Sequence, residues 1–491
     1  MRTPHSFTPH RLATAVVLAL SGPSALAADF YVGANSDPGD SDPASLDCSN
    51  ASNTTCTLSA AIYAANQASG SDTIFLTTDV TLTGIMQRLI DSDMTLDGQG
   101  HTIEGGDPNS PLIFQNHYRP FFVKSGTVTI KNMTLHDGVA KGGNSGGGGG
   151  GGAGLGGALF VYNGNVTVEN VIFSDNIAQG GEGGTNRQGG SGGMFGSGYY
   201  GGGGLFGSST DSNGGYGGNS NYGGGGGSST NGTGSDGGFG GGGGGSRYSS
   251  PDNTNNILGG NGGFGGGGGG SINNSANGTS TGGNGGFGGG GGGSINNSAN
   301  GASTGGNGGV GGGGGPSRRS TNNGSGGYGG SNGSQSGGGG EGAGFGGAIF
   351  VKRGTLTLKT VQFTSNLANL SVSMFDSEGR GGAIFICTPD LDNDNTAKGA
   401  KGGCGGKINE VKSCEVTFDN NQALTGQNEL FWTGAAGSQH STAGITDPCT
   451  TIPPTTSPIP TLSEWGLLLM SSLLGLFGAW RTRKARITQK S

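Results

Sequence analysis

The chain has 491 residues, of which 119 are glycine, while hydrophobic residues make up 30% and charged residues 11%. This composition excludes a conventional globular core along the whole length, so packed structure must come from the apolar-rich stretches 29–178 and 346–450. The formal net charge is −7, and seven basic residues (Arg2, Arg11, Arg481, Arg483, Lys484, Arg486 and Lys490) sit in acid-free end segments, which leaves −14 on the body and argues against nucleic acid as a partner.

In chain order, the first element is an address. Arg2 and Arg11 precede an apolar run from Leu12 to Leu20, and Ala25-Leu26-Ala27 supplies a small-residue cleavage site. Residues 1–27 therefore read as a secretory signal peptide, too short in its apolar part to span a bilayer. Export makes disulfides the expected state of the six cysteines: Cys48 with Cys56 near one end, and Cys387, Cys404, Cys414 and Cys449 near the other, with connectivity open.

The stretch "TLSAAIYAANQA" places Leu58, Ala61, Ile62 and Ala65 on one helical face, as a cap over an open sheet edge would need. "CTLSAAIYAAN" also resembles the CSLREA motif of bacterial surface proteins, through Cys56, Leu58, Ala61, Ile62, Ala65 and Asn66. Ser59 and Ala60 replace that family's Arg-Glu, so any salt bridge at that point is lost.

Short strand-like runs follow: "DTIFL", "DMTLDGQGHTI" and "VTIKNMTLHDG". At Gly156 the chain reads "GGALFVYNGNVTVENVIFSDNIA", and at Gly346, 190 residues later, "GGAIFVKRGTLTLKTVQFTSNLA". Val166, Val168, Val171 and Phe173 are matched by Leu356, Leu358, Val361 and Phe363, the period-two signature of strands. One such unit cannot bury its own apolar face, but a stack of them can. The fold expected is all-β, a right-handed parallel β-helix of the pectate-lyase-like solenoid type with an N-terminal helical cap; a β-sandwich is the competing arrangement.

The pairing of Gly156-Gly157-Ala158 with Phe173 and Asn176, and of Gly346-Gly347-Ala348 with Phe363 and Asn366, resembles the repeats of polymorphic outer-membrane proteins. A split third copy joins Gly381-Gly382-Ala383 to Phe418 and Asn421. The resemblance implies a β-helical, adhesin-like body, although a single apolar segment stands where that family has a barrel. The asparagines are expected at turns, bonding neighbouring backbone.

Between the two units, "GGNGGFGGGGGGSINNSANGTST" starts at Gly259 and recurs at Gly282 with Ala302 for Thr279; a decayed copy starts at Gly305. Three arrangements are open for this low-complexity insertion. Glycine's entropy on ordering favours a flexible extruded loop. The others are glycine runs packed in extended helices, with Phe264 and Phe287 equivalent, or further coils continuing the stack. The resulting organisation is 1–27 signal peptide, 28–179 first β-helix part, 180–342 glycine-rich insertion, 343–449 second β-helix part, 450–458 linker and 459–491 sorting signal.

Chemistry is sparse. Asp390, Asp392 and Asp394 alternate in "DLDNDN" and offer a calcium loop, although Asn395 and Lys401 break the EF-hand pattern; no other cofactor is expected. Asp97, Asp137 and Asp175 sit in turn-like contexts where aspartate is usual, and His101 and His136 are expected to face solvent. No catalytic residues are assigned.

The tail has three parts: Ile459, Pro460, Thr461, Leu462, Trp465 and Gly466; an apolar stretch from Gly466 to Trp480; and a basic tail of Arg481, Arg483, Lys484 and Arg486. Fifteen residues at about 1.5 Å each barely cross a hydrocarbon core of about 30 Å, and the basic cluster belongs on the cytoplasmic side. This order resembles the IPTL-CTERM sorting signals, relatives of PEP-CTERM. The resemblance implies a Gram-negative envelope or extracellular matrix, transient residence in the inner membrane and an exosortase-type protease as partner. The function expected is structural or adhesive, toward polysaccharide or a neighbouring cell surface; the alternative is a polysaccharide lyase or glycoside hydrolase, and the chain is read as a non-enzyme.

Overall fold

The computed structural model describes residues 27–39, 47–107, 116–185, 189–209, 226–227, 229–230, 232–248, 256–275, 277–298, 300–318, 322–334, 338–369, 377–387, 403–404, 410–426 and 428–432. Within them the fold is nearly all β, and its strands pair in parallel. The main sheet has ten strands, seven of them along one path: β1 (Asp29–Val32), β2 (Asp72–Leu76), β3 (Met94–Asp97), β4 (Thr127–His136), β5 (Gly164–Ser174), β6 (Gly354–Thr364) and β7 (Glu410–Asp419); Ser36–Asp37, Val80–Leu82 and Thr102–Glu104 pair beside it. Along that path the order in the sheet is the order in the chain. A second sheet runs Phe121–Val123, Leu159–Val161, Ile349–Val351, Ile384–Ile386 and Leu430–Trp432. A third runs Val139–Lys141, Ile177–Gln179, Leu367–Ala368 and Gln422–Ala423.

The twin segments are neighbours. β5 pairs with β6 in parallel, Val166 opposite Leu356 and Val168 opposite Leu358, so the 190-residue offset in sequence is one rung in space. Val168 and Leu358 are fully buried. The inward alternation changes phase at Glu169–Asn170, both exposed, and Val171 and Phe173 point inward again. Asn170 sits at φ 53°, as do its register equivalents Asn132 (54°), Thr360 (52°) and Glu415 (55°). A left-handed residue turns the strand and returns its apolar side to the core, and among non-glycine residues asparagine is one that tolerates that conformation well.

Inside the next corner the FxxN asparagines form a ladder. Asn366 Oδ1 accepts from Asn176 N at 3.0 Å and Asn176 Nδ2 at 2.9 Å, and Asn421 Oδ1 accepts from Asn366 N and Nδ2 at 3.0 and 2.9 Å. Each amide also donates to the backbone: Asn176 to Leu135 O, Asn366 to Phe173 O and Asn421 to Phe363 O, all at 3.0 Å. Phe173, Phe363 and Phe418 stack beside it at 4.9 and 5.2 Å. The ladder pairs buried polar groups that would otherwise be costly.

At the start of the sheet, helix α1 (Leu58–Gln67) packs on β1 and β2 with Leu58, Ala61, Ile62 and Ala65 buried, as its apolar periodicity requires. Thr57 Oγ1 accepts from Ala60 N at 3.2 Å as the N-cap. Buried Asp37 takes the free Ser59 N–H at 2.6 Å and Ser59 Oγ at 2.9 Å. Thus the serine that replaces the expected arginine has its own carboxylate partner. Cys48–Cys56 and Cys387–Cys404 are disulfides, and Cys414 is disulfide-bonded as well. Cys449 lies outside the described residues.

The glycine-rich repeats correct the extruded-loop expectation. Gly269 donates to Gly260, Gly283 to Gly269, Gly292 to Gly283 and Gly306 to Gly292, each at 2.8 Å, so the bonds step from run to run through successive copies. Ser246–Tyr248, Ser271–Asn273 and Ser294–Asn296 stack in parallel, with Ser271 opposite Ser294. A Cβ on Gly286 would lie 1.7 Å from Gly263 O, so the runs approach more closely than any side chain allows. Backbone hydrogen bonding, for which the sequence offers no side-chain signal, offsets glycine's ordering entropy. These rungs do not enter the main sheet, because β5 and β6 already pair with each other. Phe239, Phe264 and Phe287 stack at 5.0 and 5.5 Å, and Phe264 and Phe287 meet the second sheet edge-on through Phe160 and Phe350, each at 5.9 Å.

Candidate functional site

The described residues hold one concentration of titratable side chains, at the end of β4. Register builds it. Glu104 is opposite His136, which is in turn opposite Ser174. The next residue on two rungs, Asp137 and Asp175, takes a left-handed φ of 52° and 58°. Farther along, the equivalent positions are the uncharged Ser365 and Asn420, so the cluster belongs to the early rungs.

His136 Nδ1 lies 2.6 Å from Glu104 Oε2 and 3.6 Å from Asp137 Oδ2, and its Nε2 lies 3.4 Å from Asp175 Oδ2. The Glu104 hydrogen bond, against partial burial and with the Asp137, Glu104 and Asp175 charges, pushes the imidazole up to about 9. It is a cation at neutral pH. Burial raises the Asp137 carboxyl, opposed by the charges of His136 and His117. The solvent-facing expectation for His136 is thus corrected: three carboxylates surround the ring and leave its side chain 30% exposed.

His117, in "NHYRP", gave no sequence signal. It is 4% exposed, and its Nδ1 has no hydrogen-bond partner. It lines a cleft of about 230 Å³ with Tyr118, Lys141, Asn144, Phe195 and Ser197.

The other candidates are structural. Asp97 pairs with Lys131 at 3.2 Å and accepts from Asn132 Nδ2 at 3.0 Å and Gln99 N at 3.1 Å. His101 Nδ1 is 3.1 Å from Asp79 Oδ1, apart from the cluster. Asp390, Asp392 and Asp394 lie outside the described residues.

The main sheet also carries an outward row. Thr73, Thr95, Thr129, Thr167 and Thr357 stand opposite one another on successive strands, half-buried on the face away from the core. Beside it Asp97, Lys131, Glu169 and Lys359 alternate in sign, with contacts of 3.2 Å between the first two and 3.4 Å between the last two.

Residues 457–484 match the IPTL-CTERM motif. The match covers Ile459, Pro460, Thr461, Leu462, Trp465 and Gly466, the apolar stretch and Arg481, Arg483 and Lys484, all outside the described residues. The motif marks an exported, C-terminally sorted surface protein and is associated with exosortase-type sorting. No curated protein and no solved structure matches the chain. Among the described residues no helix is long and apolar enough to cross a membrane.

Proposed function

We propose that the chain is a surface-exposed right-handed parallel β-helix, sorted through its IPTL-CTERM tail, that binds extracellular polysaccharide or a neighbouring cell surface in a structural or adhesive role. In this reading α1 is a CSLREA-like cap, the FxxN units are related to those of polymorphic outer-membrane proteins, and the glycine-rich segment is a side stack inserted between two coils. The observation that carries the binding role is the threonine row. Five hydroxyls at the spacing of adjacent strands, about 4.8 Å, offer regular donors and acceptors to a polymer bearing hydroxyls of its own.

The test is pull-down of the purified chain on a panel of insoluble polysaccharides. Thr129→Lys with Thr167→Lys, both on the outward face, should abolish binding while leaving the circular dichroism unchanged. Binding that survives this pair sinks the adhesive reading. The carbohydrate-active alternative draws on the carboxylates around His136; reducing ends or unsaturated products released in the same incubation would replace the binding role with it. Mass spectrometry of the mature C-terminus tests processing, and an intact Arg481–Ser491 tail would refute cleavage.

A further inference from the structure

We propose that Glu104, His136 and Asp137 form a binding site for a divalent transition-metal ion of the zinc or manganese type. One oxygen or nitrogen from each lies within 4.8 Å of the other two, and the three come from two adjacent rungs held in register by strand pairing. Ligands about 2.1 Å from one ion stand about 3.0–3.4 Å apart, by tetrahedral or octahedral geometry. The His136–Asp137 distance of 3.6 Å already approaches this. The His136–Glu104 distance of 2.6 Å is that of a charge-assisted hydrogen bond, and it opens by about 0.5 Å when an ion displaces the proton.

Two further features distinguish the cluster from an ordinary acidic surface. Asp175 sits 3.4 Å from His136 Nε2, on the side of the ring away from Glu104 and Asp137; that is the place of the carboxylate that orients a ligating imidazole. His117 is 4% exposed, and its Nδ1 has no hydrogen-bond partner. Its backbone bridges Gly106, two residues beyond Glu104, so the unpartnered nitrogen lies toward that end of the cluster. An imidazole with two or three carboxylates suits zinc or manganese better than calcium, which takes oxygen ligands. The described cysteines are all in disulfides and offer no competing thiolate.

The test is calorimetric titration of the EDTA-stripped, desalted full chain with Zn²⁺, and separately with Mn²⁺ and Ca²⁺. One equivalent of Zn²⁺ or Mn²⁺ should bind. His136→Ala should weaken it at least 100-fold, and Asp175→Asn, which removes only the orienting carboxylate, by 10- to 100-fold. Glu104→Gln keeps the shape and a hydrogen-bonding group, so it covers the case in which His136→Ala fails to fold. Binding by Glu104→Gln equal to that of the unaltered chain, no binding beyond that of the variants, or a preference for Ca²⁺ over both other ions would each overturn the assignment.

Discussion

Asn366 is the middle rung of the asparagine ladder, and replacing it with alanine tests whether that ladder holds adjacent rungs together. The side chain is fully buried and makes four hydrogen bonds: its Oδ1 accepts from the amide N–H and the Nδ2 of Asn176, and its Nδ2 donates to Phe173 O and Asn421 Oδ1. Asn176 Nδ2 keeps Leu135 O, but the Asn176 N–H loses its acceptor in a buried corner. An orphaned buried N–H costs about 1–3 kcal/mol and each of the other three lost bonds about 1 kcal/mol net, which gives a loss of about 4–6 kcal/mol for Asn366→Ala. The matched control is Asn165→Ala. Asn165 also bonds across the same 190-residue offset, accepting from Thr355 Oγ1 at 2.9 Å, but it is exposed, so its loss should stay within about 0.5 kcal/mol. Urea unfolding followed by circular dichroism, with slopes compared between variants, measures both. Equal midpoint losses for the two would refute the view that the buried amide, rather than the long-range pairing as such, secures the stack.

Gly286→Ala should destabilise by about 1–3 kcal/mol, because its Cβ meets a backbone carbonyl that has no rotamer to retreat into; Gly227→Ala, where a Cβ meets nothing within 4 Å, should be near neutral in the same melts. His136 titrates at about 9 in the fold against an ordinary 6.5, so its stabilisation is fully present below pH 6.5 and is lost as pH rises through 9. In EDTA the melting temperature should fall over that window, and His136→Gln should flatten the fall; an unchanged profile in the variant would assign it elsewhere. Removing the Cys48–Cys56 bridge with paired serines frees a short loop, a loss of about 2–3 kcal/mol in the chain-entropy account, measurable as a lower urea midpoint than that of the oxidised parent.

The rungs were legible because their inward positions repeat as apolar residues whatever lies between them. Val168 and Leu358 declare the same phase, and Asn176, Asn366 and Asn421 declare the same corner. The mid-strand bend escaped the sequence reading: asparagine suits it at Asn132 and Asn170, but Thr360 is β-branched and takes φ 52° because its neighbours on both sides do. The glycine packing was hidden for a different reason: its bonds are entirely backbone, and pattern reading sees side chains. The site was hidden too. His136 and Asp175 become neighbours through strand register, and His117 comes to lie opposite Gly106 by a pairing no spacing encodes. Lys352 carries no signal either, yet it is 2% exposed with its Nζ 4.9 Å from the Tyr162 ring and 5.1 Å from that of Phe287, at the seam between the two stacks.

That seam explains how a 23-residue copy can be added to such a chain. Along the second sheet Phe160, Phe350 and Phe385 stack at 5.1 and 5.2 Å; along the glycine-rich rungs Phe239, Phe264 and Phe287 stack at 5.0 and 5.5 Å. Both rises come from the same cause, backbone hydrogen bonding between neighbouring chains at about 4.8 Å. Two columns with a common rise stay in step over several rungs, so a ring on one side meets a ring on the other without either backbone adjusting. A duplicated repeat adds its own glycine hydrogen bonds and one more ring to the column, and it leaves the β5–β6 pairing untouched because the insertion leaves and re-enters between two strands that already bond each other. The limit on such growth is the host column: Val310 shares the buried cluster of Phe287, the partly buried Tyr328 packs against it, and Tyr328 already meets Phe345 and Phe385 at 5.8 and 6.5 Å. A further copy therefore has to carry its ring beyond the aromatic face that now covers it, and there the added apolar surface would meet water instead of a partner.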